Sequence, residues 1–146
     1  MEVIPVISSG LFAGATLAIS IAEHPARQNM DPQQGLKQFQ QSYKRIAPSQ
    51  IALALTSAGS SLYLASKGGE AKNVYLAAGI AMVAMLPFTK IFLMPTNNRL
   101  NSADKKEDVE VKQLFSKWGK LHAVRTAVSI LAFTGLTIAA LKTAKT

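Results

Sequence analysis

The stretch PFTKIFLMPTNNRL, Pro87 to Leu100, begins as an apolar span and breaks off into proline, threonine, two asparagines and an arginine. A second polar group, Trp118, His122 and Arg125, opens the next apolar span. Apolar spans hold such residues only where they face protein, water or a ligand. Two such clusters meeting at one end of a helical assembly therefore predict a site.

Working outward, four segments are almost free of charge: Val3 to Ala22, Ile51 to Ala65, Val74 to Ile91 with Lys90 inside it, and Val124 to Leu141 with Arg125 inside it. About 20 apolar residues in a helix cross the roughly 30 Å hydrocarbon core of a bilayer. A helix at a protein–water boundary would carry a polar stripe, and these segments lack one. With 146 residues, 49% of them hydrophobic, the chain reads as a single all-α integral membrane domain, a four-helix transmembrane bundle. The expected helices run over about 3–22, 47–66, 73–94 and 104–141. The first is expected to be retained, because no Lys or Arg precedes it and its apolar run exceeds the 7–15 residues of a signal peptide core.

The loops carry their own pattern. Asp31 followed by Pro32 is a helix-start signal, and Leu36, Phe39, Tyr43 and Ile46 then share one side of a helix. This predicts a short amphipathic interfacial helix over about 32–46. Val111, Leu114, Phe115, Trp118, Leu121, His122 and Arg125 keep helical spacing into the fourth span, so the fourth helix is expected to be long, to start near Asp104 with Asn101 or Ser102 as its cap, and to extend out of the membrane. Gly10, Gly14, Ala18 and Ala22 recur every fourth residue, which predicts a flat face for close approach of a neighbouring helix. Pro87 predicts a kink, and Pro95 a second bend or an end.

Lys and Arg set the expected topology. The first loop holds Arg27, Lys37, Lys44 and Arg45, and the third Arg99, Lys105, Lys106, Lys112, Lys117 and Lys120, against Lys67, Lys72, Lys142 and Lys145 on the other side. The positive-inside rule then places both long loops, 23–47 and 95–121, in the cytoplasm and the termini opposite. The net charge of +8 follows these flanking loops and suits anionic lipid, and no basic and aromatic alternation supports nucleic-acid binding. The absence of cysteine removes disulfides, thiolate metal sites and a cysteine nucleophile.

One membrane face thus gathers Glu23, His24, Tyr43, Asn97, Asn98, Trp118, His122 and Arg125. Trp118, His122 and Arg125, spaced by four and three, share one face of their helix. His122 is the residue able to exchange a proton near neutrality. Duller readings stand beside this one: Lys90 and Arg125 as snorkelling cations, Glu23 paired with Arg27 or Arg125, the asparagines as helix-end caps and Trp118 as an interfacial anchor.

Taken together, Gly10-Leu11-Phe12-Ala13-Gly14, Glu23-His24-Pro25-Ala26, Tyr43-Lys44-Arg45 with Ala47-Pro48, the Pro87–Leu100 stretch, and Trp118 followed by His122 and Arg125-Thr126 resemble the anthrone oxygenase family of small four-helix membrane proteins. The resemblance runs from Gly10 to about Leu136. It implies oxidation of anthrone-type polycyclic phenols to quinones by molecular oxygen, with no metal or flavin cofactor. The expected partners are then a hydrophobic aromatic small molecule, dioxygen and the lipid bilayer; the oligomeric state stays open. Under that expectation His122 is the base, and Arg125 and Asn98 stabilise the enolate oxygen and reduced dioxygen. Trp118 would stack on the substrate, Asn97 orient His122 or the substrate, Glu23 set the imidazole tautomer and Tyr43 hydrogen-bond a phenol. Two rivals stay open: a noncatalytic membrane protein binding a lipid or hydrophobic metabolite, and a metal-dependent oxidoreductase using His24, His122 and Glu23, whose spacings match no standard ligand motif.

Overall fold

Every regular element in the computed structural model, which describes residues 1–143, is helical. Lys145, counted above on the far side, lies outside the described residues. Helix α1 (Val3–Ala18) passes through a π-helical turn (Ile19–Glu23) into α2 (His24–Gln28). Helix α3 covers Pro32–Ser66, and α4 (Lys72–Phe88) passes through a second π-helical turn (Thr89–Leu93) into α5 (Met94–Asn101). Helix α6 covers Asp108–Thr143. The result is four long rods: α1 packs on α3 and α6, α4 packs on α3 and α6, and α3 and α6 also touch across the bundle.

Three of these rods, Val3–Gln28, Lys72–Asn101 and Asp108–Thr143, are long and apolar enough to cross a membrane. The expected second span takes a different form. Instead of an interfacial helix followed by a separate one, α3 is a single rod of 35 residues with Pro48 inside it. Asp31 does cap it, its carboxylate accepting from the backbone N–H groups of Gln33 (3.1 Å) and Gln34 (3.2 Å). The polar first half of α3 is tied to the α5–α6 connection: the Gln40 amide donates to the Leu100 carbonyl (2.8 Å) and that of Gln33 to the Lys106 carbonyl (2.9 Å). These bonds hold the amphipathic stretch against the protein, so the helix has no reason to break at Ala47.

The two π-turns share one cause. Each lies just before a proline, Pro25 and Pro95, whose residue four back is Ile21 or Ile91 in the middle of the turn. Proline offers no N–H to that carbonyl and its ring collides with it; widening the turn by one residue relieves the collision while the helix continues. Pro95 therefore neither ends the rod nor starts a loop. Helix α6 begins at Asp108, with Asp108 and Glu110 in its first turn where the helix dipole favours anions. Asn101 and Ser102 instead finish α5, bonding back to the carbonyls of Asn97 (2.8 Å) and Arg99 (3.0 Å).

The interior is rich in small polar residues and the outside in large apolar ones. Ser9, Thr16, Ser57, Ser61 and Ser129 are fully buried, while Leu131 is 72% and Ile21 67% exposed. Of the expected small-residue face, only Gly10 meets a neighbour, the Phe133 ring; nothing lies within 4 Å of a Cβ built on Gly14, and Ala18 and Ala22 are exposed. The buried face of α1 is Ser8, Ser9, Phe12, Ala13 and Thr16. Two apolar clusters result, one around Phe12, Met82 and Leu136, the other around Phe39, Phe115 and Trp118.

Candidate functional site

Between those clusters the four rods leave a cavity of about 330 Å³, at the small end of the 300–1,000 Å³ range of ligand pockets. Its apolar walls come from Phe12, Ile19, Ile51, Met85 and Leu86, and its polar groups are Tyr43, Gln50, Thr89, Lys90, Asn97, His122 and Arg125. Both π-turns border it, contributing Ile19 from one and Thr89 and Lys90 from the other. π-Turns are frequent at functional sites because they turn side chains off the regular helical faces.

Trp118 and His122, one turn apart on α6, form the aromatic wall. Their rings are stacked with centroids 4.5 Å apart and planes 17° apart. The indole N–H donates to Asn97 Oδ1 on α5 (2.8 Å), and the Phe39 ring meets the indole edge-on at 5.4 Å. Trp118 is thus fixed from three sides, and it fixes His122 in turn.

The other side of His122 meets α1. Ser20, within the first π-turn, places its Oγ 3.0 Å from His122 Nδ1 and 2.8 Å from Thr126 Oγ1. Thr126 Oγ1 reaches the carbonyls of His122 (3.1 Å) and Thr16 (3.3 Å), and Thr16 Oγ1 lies 3.1 Å from Ser129 Oγ. A ladder of hydroxyls therefore joins α1 to α6 and ends on the imidazole. His122 is 2% exposed, and its Nδ1 is held by a hydroxyl, not a carboxylate.

Arg125 lies one turn further along α6, with its guanidinium 5.5 Å from the Phe12 ring centre. It does not snorkel outward but lines the cavity, donating from Nη2 to Gln50 Oε1 on α3 (3.2 Å). Gln50 is 5% exposed and its Nε2 has no partner; neither has Arg125 Nε.

Glu23 stands elsewhere. Its carboxylate accepts from Arg27 (2.7 Å), Gln38 (2.9 Å) and Ser42. Arg27, 2% exposed, lies over the Phe39 and Phe115 rings at 5.1 and 5.8 Å. This network locks α2 to α3 and α6, and Glu23 makes no contact with His122. His24 packs beside it on the backbone of Gly119, where an added Cβ would sit 2.4 Å from Nε2. Among the described residues no three His, Cys, Asp or Glu side chains gather as metal ligands.

The residues read from the sequence thus divide. Trp118, His122, Arg125, Asn97 and Tyr43 all line the cavity. Two lie elsewhere: Asn98 is exposed and outside the cavity, and Glu23, also outside it, is bonded to Arg27, Gln38 and Ser42. Ser20 and Gln50 were missed. Gln50 left a signal, a lone amide at the entry of the second apolar segment. Ser20 left none, because only the π-turn aims it at α6.

The geometry is that of an all-helical protein with a small cavity walled by aromatic rings and furnished with an imidazole and a guanidinium. The anthrone oxygenase family profile matches residues 39–135, and the chain belongs to that family. It is 30% identical over 138 residues to an anthrone oxygenase of Cryptosporiopsis sp., covering 88% of this chain and 81% of that one. Those of Aspergillus novofumigatus (30% over 141 residues; 89% and 87% covered) and Aspergillus fumigatus (27% over 135; 86% and 84%) are similar. No solved structure matches the fold.

Proposed function

We propose that the protein is a multi-pass membrane oxygenase that converts an anthrone-type polycyclic phenol to its quinone with dioxygen, using no cofactor. The membrane placement follows from the large apolar side chains on the outer faces, Ile21, Ile91 and Leu131 among them, which water would not tolerate over so wide a surface and lipid does. The apolar part of α3 supplies the fourth crossing. The end of the bundle rich in Lys and Arg, residues 23–47 and 95–121, lies on the cytoplasmic side.

The observation that carries the chemistry is the imidazole of His122, which lines the cavity and meets the Ser20 hydroxyl at Nδ1. In the proposed arrangement the Thr126 hydroxyl donates to a neighbouring carbonyl, Ser20 donates to Thr126, and Ser20 accepts from His122 Nδ1–H, on contacts of 3.1, 2.8 and 3.0 Å. That leaves Nε2 bare, a base facing the substrate. In this arrangement Ser20 takes the tautomer-setting role first expected of Glu23.

An anthrone carries an acidic methylene opposite its carbonyl. Nε2 removes one of its protons, and the charge moves to the carbonyl oxygen, where Arg125 stabilises the enolate. The enolate passes one electron to dioxygen, and the resulting radical and superoxide combine at the same carbon into a peroxide. Taking back a proton and losing water then leaves the second carbonyl. The balance is one anthrone and one dioxygen giving one quinone and one water. Tyr43 accepts or donates a hydrogen bond to a phenol of the substrate, and Trp118 and His122 give the ring system an aromatic wall.

The purified protein in nanodiscs should accelerate conversion of an anthrone to its anthraquinone, and under ¹⁸O₂ the new carbonyl should carry one labelled oxygen. A rate equal to that of empty nanodiscs overturns the reading.

A further inference from the structure

Two arginines flank the Trp118–His122 stack, Arg27 buried and Arg125 half-buried with its Nε shielded from solvent, and they are treated differently. Arg27 has Glu23 as a counter-ion at 2.7 Å and a second acceptor in Gln38. Arg125 has no carboxylate partner: the neutral Gln50 Oε1 accepts from it at 3.2 Å, it faces the Phe12 ring, and the neutral Tyr43 phenol lies within its electrostatic reach. Drawing a cation even partly out of water without a counter-charge is costly, and proteins usually pair it. The residues lining the cavity include a second cation, Lys90, at its exposed rim, and no carboxylate. The cavity is therefore a cationic, apolar, aromatic-walled space whose missing anion belongs to its occupant.

We infer that the ligand of this cavity is a planar polycyclic aromatic that binds as an anion, its carboxylate or phenolate paired with Arg125. The Gln50 side chain holds the guanidinium in place through its carbonyl oxygen, and its unpartnered Nε2, with 5% of the residue exposed, is a second donor available to the same anion after a small rotation. The aromatic side chains on the cavity wall, Phe12, Trp118 and His122, suit an aromatic ligand better than an acyl chain. The inference rests on reading the cavity as a small-molecule site and is independent of the oxidation step.

Trp118 is the single tryptophan of the chain, so its fluorescence reports occupancy directly. In nanodiscs of neutral phosphatidylcholine, anthracene-2-carboxylate should quench Trp118 with a Kd at least tenfold below that of its neutral methyl ester. Arg125→Gln should bring the carboxylate down to the ester's affinity while the ester stays within about twofold, and Arg125→Lys should keep part of the preference. Equal affinities in the unsubstituted protein, a preference that survives Arg125→Gln, or loss of carboxylate binding on adding phosphatidylglycerol, which would make the anion a lipid headgroup, each overturn the inference. Charge preference without anthrone oxidation would uphold it and remove the oxygenase reading; oxidation without charge preference would do the reverse.

Discussion

Ser20 Oγ lies 3.0 Å from His122 Nδ1, although 102 residues separate them in sequence. In the proposed mechanism this contact sets the direction in which the imidazole acts: a ring that donates to Ser20 through Nδ1 is a base at Nε2. Ser20→Ala should lower kcat by about tenfold to a hundredfold, part of the 10²–10⁴-fold that positioned acid–base catalysis supplies. KM should stay close to its original value, because Ser20 does not line the cavity. Ser20→Thr keeps the hydroxyl and should restore most of the rate. Steady-state kinetics on nanodiscs separates kcat from KM; a change confined to KM would remove the positioning role.

Glu23 is bonded to Arg27 away from the cavity, and a structural role is expected of it. Glu23→Gln keeps the shape but weakens the charge-assisted bond to buried Arg27, with an expected cost of about 1–3 kcal/mol. Thermal unfolding in detergent should show the lower melting temperature, while kcat per folded molecule stays within about threefold. A large fall in kcat with no loss of stability would return Glu23 to the site.

Neighbouring asparagines should behave differently. Asn97→Ala strands the buried indole N–H of Trp118, at about 1–3 kcal/mol, and should shift the tryptophan emission. Asn98→Ala, at an exposed position, should stay within about 0.5 kcal/mol. Equal effects at both positions would contradict the register of α5.

Gly119→Ala pushes a methyl group into the His24 ring, and overpacking of this kind costs about 1–3 kcal/mol. Gly14→Ala meets open space and should be neutral or stabilising by up to about 1 kcal/mol. Paired melting curves check both.

These contrasts also show what the sequence could and could not convey. The helical segments were legible because long uncharged runs have few alternatives. Trp118, His122 and Arg125 were legible as a set because α6 is unbroken across them, so spacings of four and three do share a face. Asn97 and Asn98 lie beyond a π-turn, and one extra residue there rotates everything after it by about 100°; periodicity alone could not choose between them. Ser20 lies inside such a turn, invisible to any 3.6-residue pattern. The small-residue stripe of α1 misled because Gly14, Ala18 and Ala22 face outward, while Ser9, Thr16 and Phe12 make the contacts. Glu23 had two arginines within reach of its reading, and only the folded chain shows that Arg27, one turn away, takes it.

The most direct test is the rate of anthrone oxidation and oxygen uptake by nanodiscs carrying the unsubstituted protein, His122→Gln, or no protein. The unsubstituted protein should consume one dioxygen for each quinone formed, and His122→Gln should lose about 10²–10⁴-fold in rate while still binding anthracene-2-carboxylate beside Trp118. A His122→Gln protein as fast as the original would contradict the role of the imidazole and, with it, the mechanism.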